Sequence, residues 1–412
     1  MFRTKITIIG DIMCEPRLLQ AVRGPAGSYD FRPVFEHVKG LFSEADHVIA
    51  NLETPLAGEA AGYTAGYFSF NAPAALADAV RDAGIGMVTT MNNHCLDRGF
   101  AGMEETLRTL DAASLRHTGT FLSDWAGERF LTFSCREASV ALVAYGAHTN
   151  RNLNGVTLSA DQERTLNLLR PQADFPGPSR VSKRNRKARA LDKMLFCLNR
   201  EQRYAVKKGL GVVTPKPAYD TEFNRESAAP YIDAMRGSIR RAKEQADIVI
   251  FYPHLLGQFN PEPGVFSQYA VQQAVEVGCD VIIGSHPHIV QKAEYLSGTP
   301  CFWSIGNFSM SPNSVYLVRD GLPEYGLAVH LYVEDRRIVN VTFSILRIVE
   351  KKNRPLTVFP ADELAAGLGA AERRDLERDV ARICRTVTGR LPEGELIRRE
   401  YTLPAADGGG PV

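Results

Sequence analysis

Five short polar motifs in this chain each follow an apolar stretch of strand length. They are Gly10-Asp11, Asn51-Leu52-Glu53, Asn92-Asn93-His94, Tyr252-Pro253-His254 and Gly284-Ser285-His286-Pro287-His288. The stretches before them are Ile6–Ile9, His47–Ala50, Gly86–Thr90, Asp247–Phe251 and Asp280–Ile283. In open α/β sheets the carboxyl ends of the strands open onto one crevice. Carboxylates, a carboxamide and imidazoles from distant parts of the chain therefore converge there. Those are the ligand types that hold divalent first-row metals for hydrolytic chemistry. One His–Asp pair would constrain little. Five ligand-bearing strand ends in one chain are hard to explain without a metal site.

The 412 residues are 44% hydrophobic, enough for a sizeable core. Large α/β enzymes of this length often fold as one unit. The net charge of +1 gives the chain no global affinity for polyanions. Seven scattered cysteines without a C-x-x-C pair fit reduced thiols in a cytoplasmic protein better than a disulfide framework. Cys14 and Cys95 lie close to the motifs, where soft-metal ligation is an alternative use. The first strand starts near residue 5, which leaves no room for a signal peptide. No apolar run is long enough to span a membrane.

The first third reads βαβα. Helices are expected over Phe31–Phe42, Ala72–Gly84 and Gly102–Ala113, the second with Pro73 near its start and Leu76, Val80 and Ala83 on one face. Phe130–Ser134 and Val140–Tyr145 alternate like antiparallel strands, which makes the sheet mixed and open to being double. From about 150 to 230 the pattern breaks, with no ligand-bearing motif. Arg180–Lys208 carries eleven Lys or Arg against two acids, and Leu191–Lys208 suits a helix. The α/β pattern resumes with a helix over Ala228–Ala246 that sets Ile232, Met235 and Ile239 on one face. We divide the chain into a catalytic domain over 1–350, with an insert at 151–230, and a C-terminal extension over 351–412. That extension reads as a helix, Asp362–Thr388, and a tail whose last residues, Ala406–Val412, lack the apolar content to order.

Each motif has an ordinary structural use beside the chemical one. Asp11 would serve as a helix N-cap. Glu53 has the reach to bridge two ions or to sit in a surface loop. Asn92-Asn93 suits a turn, because Asn tolerates positive φ. An amide oxygen at Asn93 could also ligate a metal, leaving His94 to protonate a leaving group. Asp97, three residues on, either fixes the His94 tautomer or caps a helix. His254 is a plausible single ligand at a strand end. In His286-Pro287-His288 the proline fixes the backbone between two imidazoles. Asn307, after the strand Pro300–Ser304, suits a tight turn or a substrate contact. His37, His47, His117, His148 and His330 read as structural.

These motifs, with Asp97 and Gly99, Gln291 and Ser304-Ile305-Gly306-Asn307-Phe308, resemble the CapA family of bacterial capsule and poly-γ-glutamate biosynthesis, in the calcineurin-like metallophosphoesterase fold group. The match covers about residues 5–150 and 230–350. It implies an αββα sandwich of two mixed sheets with a dinuclear site at the strand ends. Carried over, Asp11 and His288 hold one ion, Asn93, His254 and His286 the other, and Glu53 bridges. His94 is then the general acid with Asp97 behind it, and Asn51, Asn92 and Asn307 line the substrate side. The implied cofactor is one or two Mn, Fe or Zn ions. Three positions depart from the pattern. Met13 stands where metallophosphoesterases in general carry a histidine, Ser285 where the family often has another, and His254-Leu255-Leu256-Gly257 where it often has His-Trp-Gly.

The resemblance implies a metal-dependent hydrolase acting on an anionic substrate, phosphoester or polyglutamate-like. The alternative is a non-catalytic assembly or transport component that binds an anionic polymer through the basic insert. Aromatic residues are nearly absent from Arg180–Lys208, which argues against nucleic acid as a partner.

Overall fold

Alternation in the first strand sets the layering. In β1 (Thr4–Ile12), Ile6 and Ile8 enter one core and Ile9 another, so both faces of the strand are covered. The protein is described by a computed structural model over residues 4–404, apart from 67, 137, 175–190, 192, 193, 196, 197, 199, 211–219, 315, 316, 352 and 353.

β2 (His47–Leu52), β3 (Met87–Thr89) and β4 (Arg116–Thr118) continue parallel from β1. The chain then builds a second sheet from β5 (Leu131–Cys135), β6 (Ala138–Gly146), β7 (Ile248–His254), β8 (Val281–Ile283), β9 (Ala293–Leu296) and β10 (Thr299–Phe302), in the order β5-β6-β7-β8-β10-β9. Its four inner strands are parallel and its two edge strands antiparallel. β11 (Tyr325–Glu334), β12 (Arg337–Val349), β13 (Thr357–Pro360) and β14 (Tyr401–Thr402) return to the first sheet, which runs β13-β12-β11-β1-β2-β3-β4 with β14 beside β12.

The sheets pack face to face. Ile6, Ile8, Ile49 and Val329 from the first meet Leu142, Ile250, Ile283 and Phe302 from the second. The Tyr252 hydroxyl crosses this interface and donates to the Ile9 carbonyl at 2.7 Å. Helices cover both outer faces. Phe35, Leu41, Leu76, Val80, Leu107 and Leu110 pack under the first sheet, and Ile232, Met235, Ile239, Phe266 and Val271 over the second. This is the αββα arrangement expected from the sequence. Parallel strands buried on both faces are what near-continuous runs such as Ile248–Phe251 require.

Local boundaries moved for identifiable reasons. The helix expected from Ala228 starts at Arg225, because Asn224 Oδ1 caps the amides of Glu226 and Ser227 at 3.0 and 3.2 Å. The helix read over Asp362–Thr388 is two, Ala361–Ala366 and Ala370–Thr388, parted at Gly367. The C-terminal stretch is more than a helical extension, since it also supplies β13 and β14 to the first sheet. Leu376, Val380 and Ile383 of its long helix join the core between the sheets. Much of the basic segment Arg180–Lys208, and the tail from Ala406, lie outside the described residues; the helix Arg200–Gly209 falls within them. No helix among the described residues is long and apolar enough to cross a membrane.

Candidate metal centre

The register between β1 and β2 slips between Ile9 and Asp11. Such an irregularity re-aims a side chain. Only glycine fits at position 10, where a Cβ would stand 2.0 Å from the Gly306 carbonyl oxygen. The amides of Phe308 and Ser309 both donate to the Asp11 carbonyl, at 3.0 and 3.1 Å. The first motif is thus laced to the turn that carries Asn307.

The ends of β1, β2, β3, β7 and β8 bring six buried groups together. The Asp11 carboxylate accepts from Asn51 Nδ2 at 2.7 Å and lies 3.5 Å from His288 Nδ1. Glu53 Oε1 lies 3.6 Å from Nε2 of both His254 and His288. His254 Nε2 is 2.7 Å from Asn93 Oδ1 and 3.1 Å from His286 Nδ1. Ligand atoms of Asp11, Glu53 and His254 all fall within 4.8 Å of one another, as do those of Glu53, His286 and His288. All six residues given a ligand role by the sequence are therefore in one place. Neither Cys14 nor Cys95 belongs to these groups, and burial pushes the Cys95 thiol up to about 12.

The electrostatics describe a site short of positive charge. Burial, then the neighbouring Asp11, raises the Glu53 pKa well above the usual carboxylate range. Both of its oxygens are buried and neither has a hydrogen-bond partner. Such a group costs free energy in a protein interior unless a cation or proton joins it. Burial lowers His254 to about 3, with His288 and His94 adding to the effect against the pull of Asp11. His286 is likewise held well below its ordinary value by burial and then by His254. Burial alone would raise Asp11; hydrogen bonding with His288 and the fields of His254 and His288 hold it low. His254 and His286 are thus held neutral, the form in which an imidazole can ligate a metal, while Glu53 would have to give up its proton to a cation.

His286 and His288 flank Pro287 with φ of 92° and 57°. Positive φ at two non-glycine residues stores about 1–3 kcal/mol each, and such strain concentrates at functional sites. Ser285 stands where a further histidine was a family option. Its Oγ lies 2.9 Å from His254 Nδ1, so it orients that ring. Met13 is buried with Phe70, Phe259, Ile289 and Met310, an apolar wall in place of a ligand.

His94 Nδ1 is 2.6 Å from Asp97 Oδ2, which also accepts the Phe70 amide at 2.7 Å. The following helix, Gly99–Ala112, has Arg98 as its N-cap residue and no side-chain cap. Asp97 holds His94 and does not cap the helix. Asn51, Asn92 and Asn307, read as lining the substrate side, have both amide ends spent on protein groups. Asn51 Oδ1 accepts from Thr89 at 3.0 Å, and Asn92 Nδ2 donates to the Leu52 carbonyl at 2.8 Å while its Oδ1 takes the His94 amide at 3.1 Å. Asn307 Oδ1 is 2.9 Å from His288 Nδ1, and its Nδ2 donates to the carbonyls of His288 and Pro323 at 2.8 and 2.9 Å. Asn51 and Asn307 thus orient Asp11 and His288, and Asn92 braces Asn51 and the turn before His94.

Of the histidines read as structural, His330 bridges Thr7 and Ser344 hydroxyls at 2.9 Å each, and His37 stacks on Phe359. His47 reaches the Ser134 carbonyl and His117 reaches Asp111. His148 differs: its ring meets His286 edge-on, with centroids 5.1 Å apart. It follows β6, whose end pairs with the end of β7.

Residues 5–311 match the family described as bacterial capsule synthesis protein PGA_cap. The uncharacterized protein y4sH of Sinorhizobium fredii is 26% identical over 305 residues, 67% of this chain and 61% of that protein. The capsule biosynthesis protein CapA of Bacillus anthracis is 24% identical over 359 residues, 85% of this chain and 69% of that protein. The chain thus spans less than two thirds of the first of these relatives. A putative 5'-nucleotidase from Staphylococcus aureus, solved in complex with alpha-ketoglutarate, aligns with a TM-score of 0.43 at 13% identity, over 92% of this chain and 59% of that one.

Proposed function

From the premise that this chain belongs to the bacterial capsule synthesis protein PGA_cap family, we propose that it is a metal-dependent hydrolase of phosphoesterase type. Its substrate is an anionic intermediate of capsule or poly-γ-glutamate biosynthesis. The observation that carries this reading is the Glu53 carboxylate, fully buried with both oxygens unpartnered among three imidazoles and a second carboxylate. A divalent ion fits that donor set: carboxylate, amide oxygen and imidazole suit Mn, Fe or Zn.

Asp11 and His288 would hold one ion, and Asn93, His254 and His286 a second, with Glu53 between them. A metal held there would supply a lowered water pKa and charge neutralisation at an oxyanion centre. The chain's own residues do the rest. Ser285 and Asn307 hold the His254 and His288 rings in the orientation that turns Nε2 toward Glu53. His94 hands a proton to the leaving group from Nε2, because Asp97 occupies Nδ1.

The test is metal analysis of protein purified without chelator, followed by turnover of bis-p-nitrophenyl phosphate. We expect Mn, Fe or Zn in about stoichiometric amount and a turnover that chelation removes and metal restores. Full activity after chelation would sink the reading. Metal-loaded protein that binds poly-γ-glutamate and cleaves no phosphoester would favour the assembly or transport role instead.

A further inference from the structure

A loop over residues 57–71 delivers Phe70 to His94. It folds around the side chain of Asn71, whose amide has both a donor and an acceptor end. Asn71 Oδ1 accepts from the Ala57 amide at 2.7 Å, and Nδ2 donates to the carbonyls of Gly58 and Gly62 at 2.9 and 3.0 Å. The Asn71 amide donates to the Thr64 hydroxyl at 2.8 Å, and the Thr64 amide donates back to the Asn71 carbonyl at 3.0 Å. Gly58 and Gly62 take φ of 76° and 73°, a region that glycine enters without steric cost. Arg98 clips the same loop: its Nε donates to the Gly62 carbonyl at 2.9 Å and its Nη1 to Ser69 Oγ at 2.5 Å. Phe70 stands between these two anchors, Ser69 and Asn71. Its side chain is fully buried, in a cluster with Met13, Phe259, Ile289 and Met310. Its ring lies against the His94 imidazole, with centroids 4.4 Å apart and planes 36° apart. Its amide holds the Asp97 oxygen that His94 uses.

We propose that Phe70 is a positioning residue for His94, whose ring fixes the direction in which the imidazole presents Nε2. The assignment rests on the hydrolase reading above, in which His94 is the proton donor. The Asp97 hydrogen bond fixes one point of the imidazole. It leaves the ring free to turn about the line from Nδ1 to Oδ2, and the last torsion of a histidine side chain has only broad preferences of its own. An aromatic ring packed against the imidazole removes that freedom. The phenyl ring cannot itself drift, because Asn71 sets its backbone and buried apolar groups surround it. A proton donor held in this way needs no rearrangement when substrate arrives. Misplacement of a reacting group by about 1 Å costs up to about 100-fold in rate.

The experiment uses Phe70→Leu and Phe70→Met, apolar replacements without a flat ring, each alone and combined with His94→Ala. Both keep the backbone amide that serves Asp97, and should one not fold, the other carries the comparison. The proteins are isotope-labelled at histidine Cε1, and the His94 resonance is assigned by its absence from His94→Ala. It is read in chelator and again with Zn. We expect metal stoichiometry as in wild type, and a His94 line that broadens or splits where wild type shows one sharp line. For bis-p-nitrophenyl phosphate, kcat should fall roughly 10- to 100-fold with KM unchanged. In the His94→Ala background the same substitutions should lower the melting temperature as before and leave kcat alone. A kcat loss that persists without His94, a loss of metal, or a His94 line as sharp as that of wild type would each overturn the proposal, because Phe70 would then act on the fold or on the ligands. A loosened His94 line in a protein whose wild type shows no turnover would uphold the positioning and remove the hydrolase reading.

Discussion

Asp97 Oδ2 lies 2.6 Å from His94 Nδ1, and the Phe70 amide holds the same oxygen at 2.7 Å. The carboxylate is therefore fixed before the imidazole uses it. With Nδ1 engaged, only Nε2 of His94 is available to donate or accept a proton. We expect His94→Ala to keep its metal and lose roughly 10²–10⁴ in kcat on an aryl phosphodiester. Asp97→Asn should lose less and also shift the pH–rate profile. Metal analysis beside the kinetics checks the split; a His94 variant purified without metal would mean that His94 is a ligand.

Glu53 gives a prediction in which stability and function oppose each other. Its pKa in the folded, metal-free protein is raised well above its ordinary 4.5. Above pH 4.5 the unfolded state releases this proton while the folded state keeps it. Folding stability contributed by this group therefore falls as pH rises from 4.5 toward the folded pKa. Glu53→Gln removes that slope. In chelator, the variant should gain on wild type by about 1–3 kcal/mol as pH rises, the cost of an unsatisfied buried group. It should also bind Mn or Zn at least tenfold more weakly. Urea melts at pH 5 and 8, with and without metal, measure both. Parallel stability curves in chelator would show that Glu53 carries no such burden.

Much of this site was legible in the sequence, because a parallel strand buried on both faces is a continuous apolar run and its last residue points into the crevice. Asp11, Glu53, His254 and His286 could be named on that basis alone. What the runs do not encode is where a side-chain amide is spent. Asn307 and Asn51 read as substrate contacts, and the structure turns them on His288 and Asp11, through partners far away in sequence. His148 read as structural; it belongs to no motif, and the β6–β7 register that carries it to the strand ends beside His254 is not written in its neighbours. β13 and β14 were hidden because strands as short as Thr357–Pro360 and Tyr401–Thr402 have too few residues to show a period.

The buried imidazoles set the acid limb. His254 is lowered from 6.5 to about 3 in the folded state. Below pH 6.5 the unfolded chain takes up a proton that the folded chain refuses. The stability associated with this group is complete above 6.5 and is lost as pH falls toward 3. His286 is lowered in the same direction. Metal-free protein should therefore lose several kcal/mol between pH 6.5 and 4, and His254→Gln should flatten that decline. Chelator-treated protein melted across this range is the measurement. An identical acid limb in His254→Gln would show that the decline comes from other groups.

The last prediction joins the fold to the site through one glycine. A Cβ at position 10 would meet the Gly306 carbonyl oxygen at 2.0 Å and its carbon at 3.0 Å. Both are backbone atoms, so no side chain can swing away to make room. Relief requires β1 to part from the turn that carries Asn307. That turn is tied to Asp11 by the amides of Phe308 and Ser309. Asn307 in turn holds the His288 ring. Gly10→Ala should then cost about 1–3 kcal/mol or more, as overpacking does when backbone must shift. Because Asp11 and His288 share one side of the site, that side should lose metal first. Asn93, His254 and His286 hang from other strands and should keep theirs. Calorimetric metal titration of Gly10→Ala should show the stoichiometry reduced and the remaining affinity near that of wild type. A variant that is destabilised but binds metal as wild type does would show that the close approach at Gly10 matters to the fold alone.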